Sequence, residues 1–189
     1  MKKPLLIGAL GAPLSGKTTT IALLFGEMKK RGYSVEYLPE YARTKIREMK
    51  AEGIIDSFGE EHQKIIRKKQ EELETLYINN NGKNSITLVD GSTATSFFYK
   101  GSDDFSLEVN RYDVLFFCRN LNSINVEDPN RIHDKKFSLK TDLYMSKKIN
   151  NLPDLLSKKI IYLDGNIEER LGKALNHIIS IIESKNAAS

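Results

Sequence analysis

The sequence predicts an α/β fold in which helices cover both faces of a five-stranded parallel sheet, giving three layers. Two observations predict it. Short apolar segments alternate along the 189 residues with longer segments whose apolar residues recur at helical spacing. The first apolar segment also runs directly into a glycine-bounded turn and the start of a helix. This succession of strand, helix and next strand is typical of parallel sheets.

The predicted strands are short apolar segments bounded by polar or turn-forming residues. They cover residues 5–10, 33–38, 86–89, 112–118 and 159–163. Because the carboxyl ends of parallel strands share one edge of a sheet, we expect the polar groups that follow these strands to converge on one site.

Helical patterns fill the segments between and after the strands. They cover residues 17–31, 41–52, 57–77, 93–99, 138–149 and 166–183. Two of these helices begin with capping-box spacing, Ser57 with Glu60 and Asn166 with Glu169. The apolar stripe of the long third helix is expected to comprise Phe58, His62, Ile65, Ile66, Lys69, Leu73, Leu76 and Tyr77.

Length and composition fit one domain that spans residues 1–189. Hydrophobic residues make up 40% and charged residues 29% of the chain, as in ordinary globular proteins. A net charge of +4 suits an enzyme that handles anionic nucleotides, and a lysine-rich surface explains it equally well. The sequence has no basic stripe interleaved with aromatic residues, so nucleic acid is not the expected partner.

The single cysteine and the hydropathy pattern indicate where the protein resides. Cys118 excludes an internal disulfide and fits a reducing cytoplasm. No apolar segment approaches the roughly 20 residues that a membrane span needs. The apolar run near the N-terminus ends in the glycine-bounded turn rather than in a cleavage site. We therefore expect a cytoplasmic protein, monomeric or homodimeric, with no membrane partner.

Residues 11–18 read G-x-x-x-x-G-K-T, the pattern of a phosphate-binding loop, and they stand in the expected setting between a strand and a helix. Unpaired N–H groups and the dipole at the helix N-terminus favour an anion. Lys17 is expected to reach the β- and γ-phosphates of ATP, and the Thr18 hydroxyl to ligate Mg²⁺. The expected cofactor contacts in this segment are Gly11, Ala12, Pro13, Leu14, Ser15, Gly16, Lys17, Thr18 and Thr19.

Three residues after the second and third strands are candidates for chemistry. Asp90, at the tip of the third strand, is the natural Mg²⁺ partner, although a turn role is the alternative. Glu40 follows the second strand, where it could accept a proton from an acceptor hydroxyl or hold the acceptor by hydrogen bonds. Arg43, one helical turn later, is placed to bind a phosphate or polar group of the substrate. The alternative is a surface ion pair between Arg43 and Glu40.

The polar segment 119–137 lacks periodicity, and a loop of this length is often functional. We expect it to form a lid that excludes water from the reaction. Arg131 would then neutralise transition-state charge, and Arg119 is the second candidate. A solvated loop arginine is the alternative for each of them.

The runs GAPLSGKTT, EYAR, LVDGST and LDGNIEERLGKAL together resemble the P-loop nucleoside-kinase family, typified by the ribosylnicotinamide kinase domain of the bacterial NAD-biosynthesis regulator. The resemblance covers nearly the whole chain. It implies that Lys17 and Thr18 serve ATP and Mg²⁺ and that Glu40 and Arg43 lie at the acceptor site. It also implies that Asp90 closes the third strand, that Arg131 is the lid arginine, and that the loop carrying Asn166 borders the adenine.

Two departures from that family lie where the acceptor is handled. An Asp-Thr-Asp run is replaced by Asp90-Gly91-Ser92, which removes a second acid. The lid run reads Glu-Asp-Pro-Asn-Arg over residues 127–131, with no second arginine close behind. These departures bear on whether ribosylnicotinamide is the acceptor more than on whether the protein is a kinase.

The sequence thus predicts a Mg²⁺- and ATP-dependent kinase that acts on a small nucleoside-like acceptor. One alternative is a nucleoside monophosphate kinase of thymidylate-kinase type, and another is a kinase of modified bases in DNA. The alternative from a different class is a P-loop ATPase that works as a switch or motor.

Overall fold

The five predicted strands form one parallel sheet in the structure, a computed structural model that describes residues 4–53, 59–80, 82, 85–119 and 135–187. The strands are β1 (Leu5–Leu10), β2 (Val35–Leu38), β3 (Ile86–Val89), β4 (Val114–Cys118) and β5 (Ile160–Leu163). Their order across the sheet is β2-β3-β1-β4-β5, and every pairing is parallel. The predicted fold class is therefore confirmed.

The central strand β1 is where the strand order reverses. It pairs with β3 on one side, with Leu5 opposite Ile86, and with β4 on the other, with Ile7 opposite Val114. All of its residues are buried. Ligands of open α/β sheets bind beyond the carboxyl ends of the strands at such a reversal. In this chain the glycine-bounded turn occupies that position.

Eight helices are present in the described residues. They are α1 (Lys17–Lys30), α2 (Tyr41–Ala51), α3 (Glu60–Asn80), α4 (Thr93–Ser96), α5 (Phe105–Asn110), α6 (Lys135–Asn150), α7 (Asp154–Ser157) and α8 (Ile167–Ala187). A 3₁₀ turn, Phe97–Tyr99, follows α4 directly. None of the helices in the described part of the chain combines the length and apolarity that crossing a bilayer requires.

Alternating side chains of the strands build a core on each face of the sheet. On one face, Ile7 and Ala9 of β1 pack with apolar residues of α1 and α8. On the other, Leu6 and Leu10 pack with residues of α3 to α6. Because successive side chains of a strand point to opposite faces, both helix layers are needed to cover β1.

Several predicted helix boundaries differ from the structure. The short helices α5 and α7 were not predicted, although Asp104 caps α5 by accepting a hydrogen bond from the Leu107 N–H at 2.9 Å. Helix α6 begins at Lys135, so the end of the predicted lid, residues 135–137, is its first turn. Most of that lid and the predicted cap at Ser57 lie outside the described residues.

The buried side of α3 also differs from the predicted stripe. Its fully buried residues are Ile66, Gln70 and Glu74, whereas Lys69 and Ile65 are exposed. Two polar side chains therefore occupy core positions, and they are buried because each has hydrogen-bond partners there.

Candidate nucleotide and acceptor site

The phosphate-binding loop, residues 11–18, connects β1 to α1 and passes close to the end of β4. Gly11 has a φ of 155°, and a Cβ atom there would lie 2.5 Å from the carbonyl oxygen of Cys118 and 2.6 Å from the Ser15 Oγ. Any residue with a Cβ atom would therefore clash with the Cys118 carbonyl oxygen, so this position requires glycine. The Lys17 Nζ donates to the carbonyl oxygens of Gly11 at 2.9 Å and Ala12 at 3.0 Å, so its ammonium group spans the loop.

The N-terminus of α1 has the features of an anion site. Its N-cap is Gly16, which provides no side-chain cap, and its first turn contains no acidic residue. The first N–H groups of a helix have no acceptor within the helix. The buried Ser15 hydroxyl has no hydrogen-bond partner among the described residues. A nucleotide phosphate would satisfy these donors, so the loop fits the predicted ATP site.

Thr18 and Asp90 lie together at the expected metal position. The Thr18 hydroxyl donates to Oδ1 of Asp90 at 3.1 Å, and the hydroxyl of Tyr37 donates to Oδ2 at 3.1 Å. Burial and the charge of Asp90 raise the pKa of Tyr37, which keeps its hydroxyl protonated as a donor. A hydroxyl and a carboxylate oxygen are suitable ligands for Mg²⁺, so these residues could hold the ion.

The two candidates on the acceptor side join this cluster. Arg43 donates from Nη2 to the Thr18 hydroxyl at 2.9 Å, and its Nε lies 3.5 Å from Oε2 of Glu40. The Glu40 side chain covers Gly91, where an added Cβ would lie 2.7 Å from the Glu40 Cγ. Of the two roles weighed for Arg43, the ion pair with Glu40 is present, and Arg43 also reaches the metal position.

The other predicted site residues are engaged in contacts with the protein or lie outside the description. Arg119 forms an ion pair with Asp142 of α6 at 2.9 Å. Asn166 accepts from the Glu169 N–H, and Glu169 accepts from the Asn166 N–H, each at 2.9 Å, which confirms the predicted capping box. Thr19 is exposed on the first turn of α1. Arg131 lies outside the described residues.

Helix α6 contacts the phosphate-binding loop directly, which was not predicted. The Ser138 hydroxyl donates to the carbonyl oxygen of Pro13, and Ser138 is fully buried. The same helix carries Asp142, which holds Arg119 at the end of β4. The first two turns of α6 therefore lie at the site.

Arg170 is a residue at the site that the sequence interpretation missed. It is fully buried, and it donates to the carbonyl oxygens of Ser15 at 2.6 Å, Arg119 at 2.6 Å and Gly165 at 3.1 Å. A signal was present in the sequence. Arg170 precedes Ala174 by four residues on the buried side of α8, where a charged residue requires partners.

A buried network behind Glu40 was also missed. The Tyr41 N–H donates to Oε1 of Gln70 at 2.9 Å, and Nε2 of Gln70 donates to Glu74 at 3.4 Å. The Tyr112 hydroxyl donates to Glu74 at 2.6 Å and accepts from the Thr93 N–H at 2.7 Å. Burial raises the pKa of Glu74 to about 7, while its hydrogen bonds oppose that rise. The network links the start of α2 to the segment after Asp90.

Comparison with known proteins agrees with this geometry. A family model described as an AAA domain matches residues 6–170, which include the loop, Glu40, Asp90 and Arg170. No curated protein matches the chain. The parallel sheet, the phosphate-binding loop and the extent of the match lead to one conclusion: the chain belongs to the AAA domain family and is a nucleotide-binding P-loop domain.

Proposed function

We propose that the protein is a Mg²⁺- and ATP-dependent kinase that transfers the γ-phosphate to a small nucleoside-like acceptor. The observation that carries the proposal is the link from Glu40 through Arg43 to Thr18, with a hydrogen bond of 2.9 Å at the Thr18 hydroxyl. A hydrolysing switch needs a positioned water beside the γ-phosphate. A carboxylate and a guanidinium at the start of the helix after β2 suit a bound hydroxyl.

The donor side of the proposed reaction uses the loop and β3. Lys17 binds the β- and γ-phosphates, and the N–H groups at the start of α1 orient the triphosphate. Thr18 and Asp90 hold Mg²⁺, which neutralises charge on the phosphates. Tyr37 keeps Asp90 oriented by its hydrogen bond at 3.1 Å.

Glu40 acts on the acceptor side as the general base or as a ligand of the acceptor hydroxyl. Its carboxylate lies over Gly91 and pairs with Arg43. In the first role it receives the hydroxyl proton as the oxygen bonds to the γ-phosphorus and the bond from that phosphorus to the departing ADP breaks. In the second role it aligns that oxygen. Arg43 binds a polar group of the acceptor or the transferring phosphate.

The two arginines of the proposed lid have separate roles. Arg119 is held by Asp142, and its guanidinium lies 5.5 Å from the Phe117 ring centre, so we assign it to supporting the site. Arg131 is the proposed source of positive charge at the transition state. The closing segment would also exclude water, which a kinase must do to avoid hydrolysing ATP.

The test is phosphate transfer from γ-labelled ATP with Mg²⁺ to a panel of nucleosides, nucleoside monophosphates and short DNA duplexes. We expect the wild-type protein to produce a labelled nucleoside and Lys17→Ala to transfer no label. That variant should bind ATP more weakly but fold normally. Preference for monophosphates would favour the thymidylate-kinase alternative, and labelled DNA the modified-base alternative. ADP release that no acceptor in the panel accelerates would contradict the kinase proposal and favour an ATPase.

A further inference from the structure

Among the described residues, Arg170 donates to three carbonyl oxygens and also interacts with the Cys118 side chain, and no carboxylate is a direct partner. Its donors reach carbonyl oxygens of the phosphate-binding loop, the end of β4 and the loop after β5. Among the described residues no carboxylate forms an ion pair with it, and Asp142 and Asp164 act on its charge only from a distance. An arginine keeps its charge even when buried. The part of the fold that the structure describes therefore carries a buried positive charge without an ion-pair partner.

We propose that Arg170 is a positioning residue for the nucleotide phosphates, which it serves by orienting one peptide group of the loop and by adding a positive charge behind it. This inference concerns nucleotide binding alone. It does not depend on the acceptor or on the transfer reaction proposed above.

Arg170 fixes the orientation of the peptide group between Ser15 and Gly16. Its carbonyl oxygen accepts from Nη1 of Arg170 at 2.6 Å, and the structure contains no cis peptide bond among the described residues. In a planar trans peptide the N–H points away from the carbonyl. The hydrogen bond from Arg170 thus directs the Gly16 N–H to the opposite side and polarises it as a donor.

The charge of the Arg170 guanidinium also favours bound phosphates. A buried guanidinium without an acidic partner is costly to the folded protein, and hydrogen bonds to carbonyl groups offset only part of that cost. Phosphates bound at the loop would lie on the far side of a single peptide group. Their negative charge would be the balancing charge, and a medium of low dielectric strengthens this attraction.

The test is the binding of ATP and of ADP, each with Mg²⁺, measured by isothermal titration calorimetry for the wild-type protein, two Arg170 variants and one control variant. Arg170→Met removes the charge and the hydrogen bonds, and Arg170→Lys keeps the charge without bridging three carbonyls. We expect Arg170→Met to weaken ATP binding roughly tenfold or more and ADP binding less. ATP carries more negative charge than ADP, so its binding depends more on the positive charge of Arg170. Arg170→Lys should weaken both nucleotides but keep the wild-type ratio of the two affinities.

The ratio of the ATP and ADP affinities distinguishes a role in positioning phosphates from a role in supporting the fold. A structural defect would weaken the binding of both nucleotides alike. Arg111→Met is the matched control, because Arg111 is a partly buried arginine that forms an ion pair with Glu71. It should leave the ratio unchanged. Circular dichroism establishes folding, and Arg170→Gln replaces Arg170→Met if the latter is unfolded. A wild-type ratio in the folded neutral variant, or a lowered ratio in Arg170→Lys, would overturn the inference.

Discussion

The guanidinium of Arg43 donates a hydrogen bond to the Thr18 hydroxyl over 2.9 Å, and thereby connects the helix after β2 to the phosphate-binding loop. The same guanidinium pairs with Glu40. If Thr18 ligates Mg²⁺ and Glu40 faces the acceptor, as proposed above, Arg43 is suited to couple the two halves of the transfer reaction.

This relationship predicts a selective defect for Arg43→Gln. We expect the KM for the acceptor to rise about tenfold or more, while the affinity for ATP changes less than about threefold. The KM for the acceptor should rise because the substitution removes a charged hydrogen-bond donor on the proposed acceptor side. Steady-state kinetics with each substrate varied in turn measure it. Lys45→Gln, on the same helix and paired only with Glu48 among the described residues, is the control. A larger change for ATP than for the acceptor would count against the assignment.

Glu40→Gln tests the proposed base. If the carboxylate accepts the proton, kcat should fall by about 10²- to 10⁴-fold while ATP binding persists. A ligand role would instead raise the acceptor KM. Glu36→Gln changes an exposed acid of the neighbouring strand β2, which pairs with Lys29, and should leave both constants unchanged. Near-normal kinetics in Glu40→Gln would make Glu40 a surface acid without a role in transfer.

Gly91→Ala tests the packing of Glu40 against the end of β3. The added Cβ would meet the Glu40 side chain at 2.7 Å, and the backbone there has a φ of 102°. We expect a loss of about 1–3 kcal/mol in the free energy of unfolding, together with lower activity, because strain and displacement of Glu40 coincide. Urea denaturation measures the first effect.

The control for that variant is Gly26→Ala in the exposed part of α1, where nothing lies within 4 Å of the added atom. It should stabilise the protein by about 0.5–1 kcal/mol through helix propensity. An unchanged stability in Gly91→Ala would mean that Glu40 moves aside freely.

Glu74 predicts how stability varies with pH. Its pKa is raised from 4.5 to about 7 in the folded protein, so the folded state keeps the proton over a range in which the unfolded chain releases it. The free energy of unfolding should therefore fall as pH rises from about 4.5 to about 7, by about 3 kcal/mol at most from this group. Above that range the contribution is constant.

Glu74→Gln should remove this pH dependence, so the variant gains stability relative to the wild-type protein as pH rises. Denaturation curves at several pH values measure the difference. Glu72→Gln, an exposed acid on the same helix, provides the control. Parallel pH profiles for wild-type and Glu74→Gln proteins would show that Glu74 ionises normally.

The fold was predictable because its signals are local. The loop motif, the apolar strands and the capping box at Asn166 each depend on a few neighbouring residues, and all three are present in the structure. Asp90 and Glu40 follow β3 and β2 as predicted, since those strands were recognised from their own apolar residues. The two side chains lie near the loop because the strand ends of a parallel sheet converge.

The missed features depend on distant partners. Gln70 and Glu74 are buried because Tyr41 and Tyr112, far away in sequence, supply their hydrogen bonds. Arg170 is buried because its donors meet a carbonyl 155 residues earlier. The predicted stripe of α3 therefore left out Gln70 and Glu74. It was also wrong at Ile65, Lys69 and Leu76, which are exposed.

The position of each strand in the sheet has a consequence for how the two halves of the site respond to change. The phosphate-binding loop extends from β1, whose backbone is protected by neighbours on both sides. Glu40 follows β2, which among the described strands is an outer strand bonded only to β3. Amide protons of β1 should exchange with solvent only when the whole protein unfolds, and those of β2 through smaller openings. We therefore expect the nucleotide-binding loop to be the rigid part of the site, and the proposed acceptor side to tolerate changes in specificity without loss of the fold.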